Sequence, residues 1–411
     1  MDAIVIVFLA AEGLLALWLL FRAGVLKSYP LWATAVILLT GAFVLRGLCL
    51  NYETLDYQNF LSPWVSFFRS QGGFRALSSP VGNYNIPYLY FLALFSYSGV
   101  SELYWIKLLS ILFDVLLAWA VLRLTARFTD RPGRKLAAFL TVLYLPTVVL
   151  NGALWGQCDS VYAALALLSL AQALEGKPVR SMICLALAFG FKLQAVFLMP
   201  VFAVLMLQKK ISWKHLPVFP LSYLVLILPA VIAGRPLIDT LTLYLHQTGS
   251  IGSGLNYNSP SVFAILWRIR EPQPASTLAI FAAFVFMFLV LTAAWLWSRR
   301  LSDRAVLFAA LLLSLGIPFL LPHMHDRYFF LADVLSLALA FSFPSYAPVP
   351  LLIQFASLLG YHAYLKMRFF LPMWYGAYAL IAALLLLTVG FALSLRARAA
   401  SEESPPGACQ V

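Results

Sequence analysis

Long apolar runs follow one another along the chain, separated by short polar stretches, and none of them alternates with a period of two. A helix of about 20 apolar residues crosses a bilayer core about 30 Å thick. Runs at 1–21, 30–50, 103–122, 136–152, 161–174, 216–233, 278–297, 305–321, 329–343, 349–361 and 373–395 meet or approach that length. The run 181–207 is too long for one simple span, and a single crossing would leave Lys209, Lys210 and Lys214 on the wrong side. Two half-spans meeting near Lys192 remove the conflict. The stretch 86–100 is of marginal length for a span, and the charge pattern requires an odd number of crossings around it. It therefore reads as a helix lying on or dipping into the outer surface, as an amphipathic or re-entrant element would. The pattern predicts an all-α polytopic membrane protein of about 11–13 transmembrane helices, with its N-terminus outside and its C-terminus inside.

Composition agrees. Of 411 residues, 63% are apolar and 11% charged, whereas a soluble domain carries about 25% charge. A membrane β-barrel is excluded by the missing two-residue period. The net charge of +12 comes mostly from loop Lys and Arg, densest at Arg123, Arg127, Arg131, Arg134 and Lys135. That placement marks a cytoplasmic side and leaves nucleic-acid binding without support. Cys49, Cys158, Cys184 and Cys409 lack metal-ligand spacing and imply no disulfide framework. The first run has no basic leader or small-residue cleavage site and reads as a retained span. The expected organisation is one transmembrane domain over 1–398, with outer loops at 51–100 and 234–276, and a disordered cytoplasmic tail at 399–411.

Charge signs place four polar clusters on one face. They are Glu53 with Asp56, flanked by Tyr52, Tyr57 and Trp64; Gln157 with Asp159; Lys192 with Gln194; and His323, His325, Asp326 and Arg327. A transporter would carry its ionisable groups near the midplane; groups gathered at one interface suit an enzyme acting on lipid headgroups. A carboxylate could act as base or ligate metal, and the cations could hold a phosphate through charge-assisted hydrogen bonds. Transfer of a sugar from a lipid phosphate needs both functions. Glu12 inside the first span requires a partner or a proton, and Asp114 reads as a buried structural acid. A lipid-linked sugar flippase or solute transporter, and an oligosaccharide ligase or polymerase using a lipid diphosphate, are the competing classes.

The motifs Trp155-Gly-Gln-Cys-Asp-Ser-Val-Tyr, Phe191-Lys-Leu-Gln-Ala and His323-Met-His-Asp-Arg-Tyr-Phe, preceded by Leu55-Asp-Tyr-Gln-Asn-Phe-Leu-Ser-Pro-Trp, resemble the bacterial PIG-V-like group of GT-C glycosyltransferases, relatives of the second GPI mannosyltransferase. The resemblance implies a GT-C fold with surface-lying helices in the first outer loop, a polyprenyl-phosphate-linked sugar donor, inversion at the anomeric carbon and an extracytoplasmic site, in a bacterial inner membrane. It maps the catalytic acid to Asp56, with Glu53 second. With it, Lys192, Arg327, His323 and His325 are expected to bind the donor phosphate, and Trp155, Gln157, Asp159, Gln194, Asp326 and Tyr57 the sugar or acceptor, Trp155 as a stacking platform. No metal cofactor is expected; within this fold a divalent metal goes with oligosaccharide donors. The expected partners are the lipid donor, a glycan, lipid or protein acceptor, and membrane lipids. Nothing in these residues reads the stereochemistry of mannose.

Overall fold

The computed structural model describes residues 2–245, 254–269, 272–298 and 301–402. His246, the first part of the Gly/Ser/Asn-rich piece (249–253), Arg270, Arg299, Arg300 and the tail from 403, with Cys409, lie outside the described residues. In chain order the helices begin with α1 (Ala3–Arg22), α2 (Tyr29–Cys49), α3 (Ser62–Ser70), α4 (Ile86–Phe95), α5 (Glu102–Ala126) and α6 (Pro132–Tyr144). Next come α7 (Pro146–Val149), α8 (Asp159–Leu174), α9 (Pro178–Phe191), α10 (Val201–Leu207), α11 (Val218–Ile232) and α12 (Leu237–Leu241). The last are α13 (Val262–Ile265), α14 (Pro272–Leu296), α15 (Asp303–Leu320), α16 (Phe330–Ser342), α17 (Pro348–Leu365) and α18 (Trp374–Glu402). Strands β1 (Asn256–Tyr257) and β2 (Met324–His325) pair in parallel.

Among the described residues, seven helices are long and apolar enough to cross a membrane, and α6 with Pro146–Trp155 forms a further pair bent by 45°. Five shorter apolar helices of 10–17 residues accompany them. The protein is therefore an all-α polytopic membrane protein. The bend follows Leu145, because Pro146 has no N–H to continue the ladder of α6. The run 181–207 is interrupted at Lys192, whose backbone is extended (φ −155°, ψ 136°). The stretch 86–100 contains only α4, 10 residues long and so about 15 Å. It is apolar on all sides, with Ile86, Tyr88, Leu89, Leu92 and Ala93 buried, so of the two forms expected for this stretch the amphipathic one does not hold. At the C-terminus α18 runs on to Glu402, beyond the position where the tail was expected to begin.

The chain forms two compact units. The first is Met1–Ala195 with His215–Gly252, the second Val196–Lys214 with Ser253–Val411. At the centre of the first, α8 packs on α5 and α9. The α8 face is built from small residues, Ala163, Ala164, Ala166 and Ala171, all buried, which lets helix backbones approach without a lipid-excluding driving force. Ser169 and Ser181 close the contact by exchanging hydroxyl-to-carbonyl hydrogen bonds at 2.7 and 2.8 Å. A buried ion pair ties α2 to α5: Arg46 donates to Asp114 at 2.9 and 3.1 Å and to the Leu143 carbonyl at 2.8 Å, while Ser160 donates to Asp114 at 2.5 Å. Asp114 is thus the structural acid expected of it. Glu12 is buried on α1, and its Oε2 has no hydrogen-bond partner among the described residues. In the second unit α15 and α16 form the buried centre, with α17 and α18 packed against them and each other.

Candidate active site

Two π-helical turns shape the first unit's polar cluster. One, Tyr57–Leu61, follows Asp56 directly; the other, Leu150–Trp155, ends at Gly156, whose φ of 79° turns the chain back towards α8. A π turn inserts a residue into the helical ladder and re-aims the side chains beside it, which is why such turns recur at functional sites. Here their ends meet. Trp155 Nε1 donates to Asp56 Oδ2 at 2.9 Å and Gln157 Nε2 donates to the same oxygen at 2.7 Å. Thr54 Oγ1 joins the two segments again by donating to the Trp155 carbonyl at 3.1 Å.

From Gln157 the network continues inward. Tyr84 donates its hydroxyl to Gln157 Oε1 at 2.9 Å, and its ring lies 5.9 Å beneath Lys192 Nζ. Lys192 forms a buried ion pair with Asp159 Oδ1, whose other oxygen accepts from Asn151 Nδ2 at 2.7 Å. Asp159 also occupies the first turn of α8, where a carboxylate meets the positive end of the helix dipole. The sequence placed Lys192 on the same face as Asp159. It did not anticipate Tyr84 or Asn151, although Asn151 opens the same polar turn as Gln157 and Asp159.

The expected site residues therefore divide. Asp56, Trp155, Gln157, Asp159 and Lys192 come together. Asp56 is half-buried at the edge of the cluster, whereas Glu53 is exposed and accepts from Gln58 at 3.1 Å. Trp155 is fully buried, so its ring has no free face on which a sugar could stack; its indole N–H holds the carboxylate instead. Tyr57 is buried, and its hydroxyl lies near Ser62, Ser101 and Glu102. Burial, then the Glu102 charge, raise that hydroxyl above its ordinary pKa. Gln194 is buried and forms no hydrogen bond to the cluster; its Oε1 is unpartnered among the described residues.

The second unit holds the remaining four. His323 adopts a left-handed backbone (φ 62°), its N–H donates to the Leu255 carbonyl at 2.8 Å, and its Nδ1 lies 2.7 Å from the Gly254 carbonyl. Strand β2 then pairs with β1, and the His325 ring stacks on Tyr257 at 4.8 Å and 14°. Asp326 is buried and 3.5 Å from the Arg327 guanidinium. Gly360 of α17 allows this arrangement, because a Cβ there would sit 2.8 Å from the Asp326 carbonyl oxygen and 2.9 Å from that of Asn258. Beside the strands an apolar groove of about 720 Å³ opens between Leu255, Phe263, Trp267 and Pro272 on one side and residues 369–374 on the other, with Trp267, Phe369 and Phe370 exposed along it. Among the described residues no three His, Cys, Asp or Glu side chains converge as a metal-ligand set.

Fold and site together define an integral membrane protein with a loop carboxylate clamped by indole and amide donors. The family whose profile matches the chain is glycosyltransferase family 87, a GT-C type membrane family, over residues 83–322, more than half of the chain. The protein belongs to that family and is a membrane glycosyltransferase. No curated protein matches the chain. The matched region includes Tyr84, Asn151, Trp155, Gln157, Asp159 and Lys192; Glu53 and Asp56 precede it and His323 to Arg327 follow it.

Proposed function

We propose that this glycosyltransferase moves one monosaccharide, a hexose such as mannose, from a polyprenyl-phosphate donor to an acceptor hydroxyl on a glycan, lipid or protein. The acceptor oxygen attacks the anomeric carbon from the face opposite the phosphate, its proton passes to Asp56, and the polyprenyl phosphate leaves with inversion at that carbon. The observation that carries this reading is the clamp on Asp56. A base must be held within hydrogen-bond reach of the hydroxyl, and two N–H donors on one carboxylate oxygen fix its orientation. Lys192 is proposed to meet the leaving phosphate: an ammonium has three N–H donors, and Asp159 accepts one of them. Within the second unit, His323, His325 and Arg327 are proposed to bind phosphate, with Asp326 orienting Arg327. The apolar groove beside them suits an isoprenoid chain.

The motif resemblance to PIG-V-like mannosyltransferases supports mannose and a lipid monophosphate donor, used without a metal. Loop charges support an extracytoplasmic site, and the motif resemblance a bacterial inner membrane. The test uses the purified full chain in lipid nanodiscs, undecaprenyl-phosphate mannose as the probe donor and a native membrane extract as the acceptor pool. D56N should lower transfer by about a thousandfold or more, while donor binding and the melting temperature stay near wild type. Wild-type turnover by D56N would remove Asp56 as the base. Transfer that disappears with a chelator would point to a lipid diphosphate donor instead.

A further inference from the structure

Lys107 takes no part in the chemistry above, yet it touches both segments that make the Asp56 clamp. It lies on α5 and is fully buried. Its Nζ donates to the carbonyls of Cys49 at 2.8 Å, Leu50 at 3.1 Å and Tyr52 at 2.6 Å. An ammonium has three N–H donors, so all three are committed to the end of α2 and the start of the outer loop. The last carbonyls of a helix lack intrahelical partners and carry the negative end of its dipole. A buried cation is well matched to that position, and no carboxylate pairs with it among the described residues.

The stem of the same side chain lies beneath the second segment. A Cβ built on Gly156 would meet Lys107 Cγ at 3.9 Å and Cε at 4.0 Å. Gly156 is the left-handed residue between Trp155 and Gln157, which supply the two donors to Asp56. One side chain therefore holds the loop that delivers the carboxylate and packs against the turn that receives it.

We propose that Lys107 is a positioning residue for Asp56, pinning Cys49, Leu50 and Tyr52 so that the carboxylate stays on its indole and amide donors. The proposal rests on the reading of Asp56 as the base. It acts through geometry, and a displacement of about 1 Å in a reacting group can cost about a hundredfold in rate.

The test compares wild type, K107M, K107R and D56N as full chains in nanodiscs, by amide hydrogen exchange and by transfer from undecaprenyl-phosphate mannose. K107M should raise exchange over residues 50–57 by about tenfold or more, leaving α4 unchanged. It should also lower kcat by about a hundredfold, with KM for the donor within about twofold. K107R, which keeps the charge and the donors, should recover part of both effects. K107Q, keeping half of the methylene stem and two amide N–H donors without the charge, replaces K107M if that variant does not fold. Unchanged exchange in K107M removes the anchor and leaves Asp56 as the base. A lowered melting temperature with intact kcat makes Lys107 merely structural and overturns the proposal. Wild-type turnover by D56N removes the base reading itself, and with it the catalytic meaning of the anchor.

Discussion

Asp56 receives its two donors from residues 99 and 101 positions further along the chain. Its candidacy was legible in the sequence, since a carboxylate in an aromatic outer loop of a membrane protein invites that reading. As a candidate base it differs from Glu53 in its surroundings: Glu53 is exposed and accepts from the Gln58 amide, whereas Asp56 is half-buried and held by two donors. Trp155 was legible as important but not in its role, because sequence cannot tell a buried indole from one offering a face. Replacing Trp155 with Phe keeps most of the buried area and removes one donor to Asp56. A hydrogen bond to a charged group contributes about 1.5–3 kcal/mol. W155F should lower turnover by about tenfold to a hundredfold, measured as kcat against KM, with a smaller fall in melting temperature. Turnover equal to wild type would show that Gln157 alone suffices.

At the scale of elements, hydropathy located most helices and missed their irregularities. The break at Lys192 was visible because the positive-inside rule forbids one long span there. The π turns at Tyr57–Leu61 and Leu150–Trp155 were not, since one extra residue in a turn leaves no mark on an apolar run. Connections between helices also carry measurable chemistry. Glu175 follows α8 and accepts from Arg123 at 2.5 and 2.8 Å and from Lys177 at 2.8 Å. Burial pushes its carboxyl up, but those hydrogen bonds and charges outweigh burial and hold it below the ordinary 4.5. A depressed carboxylate stabilises the fold above its unfolded pKa, and the contribution is lost as pH falls through the folded one. Melting temperatures should therefore decline on acidification below about pH 4.5. E175Q should start lower at neutral pH and lose this part of the decline. A decline identical in both proteins would show that other carboxylates account for it.

The molecule as a whole is organised by the bilayer, and the loop charges predict which face is which. In a cysteine-free variant, single cysteines at Gln58 and at Arg131 should label from opposite sides of sealed vesicles, with Gln58 reacting from the extracytoplasmic side. Both residues are accessible enough for the comparison, Gln58 being exposed and Arg131 flanking α6. Labelling of both from one side would contradict the odd number of crossings inferred between them. The division into two compact units had no counterpart in the hydropathy profile, because it depends on which helices share neighbours, and apolar runs look alike whichever helix they pack on.

Sequence alone determined the all-α membrane class and the break near Lys192, and it singled out the acidic loop as the candidate for reaction. These follow from hydropathy, charge sidedness and local spacing, which act over short stretches of chain. Only the tertiary structure decided that Trp155 is a donor rather than a platform, that Tyr57 is buried, that Tyr84 bridges Gln157 and Lys192, and that Lys107 lies under the clamp. Each of those depends on the direction of a side chain set by a distant helix. For Asp56 that direction comes from two π turns and a glycine at positive φ, and none of these alters the pattern of apolar and polar residues.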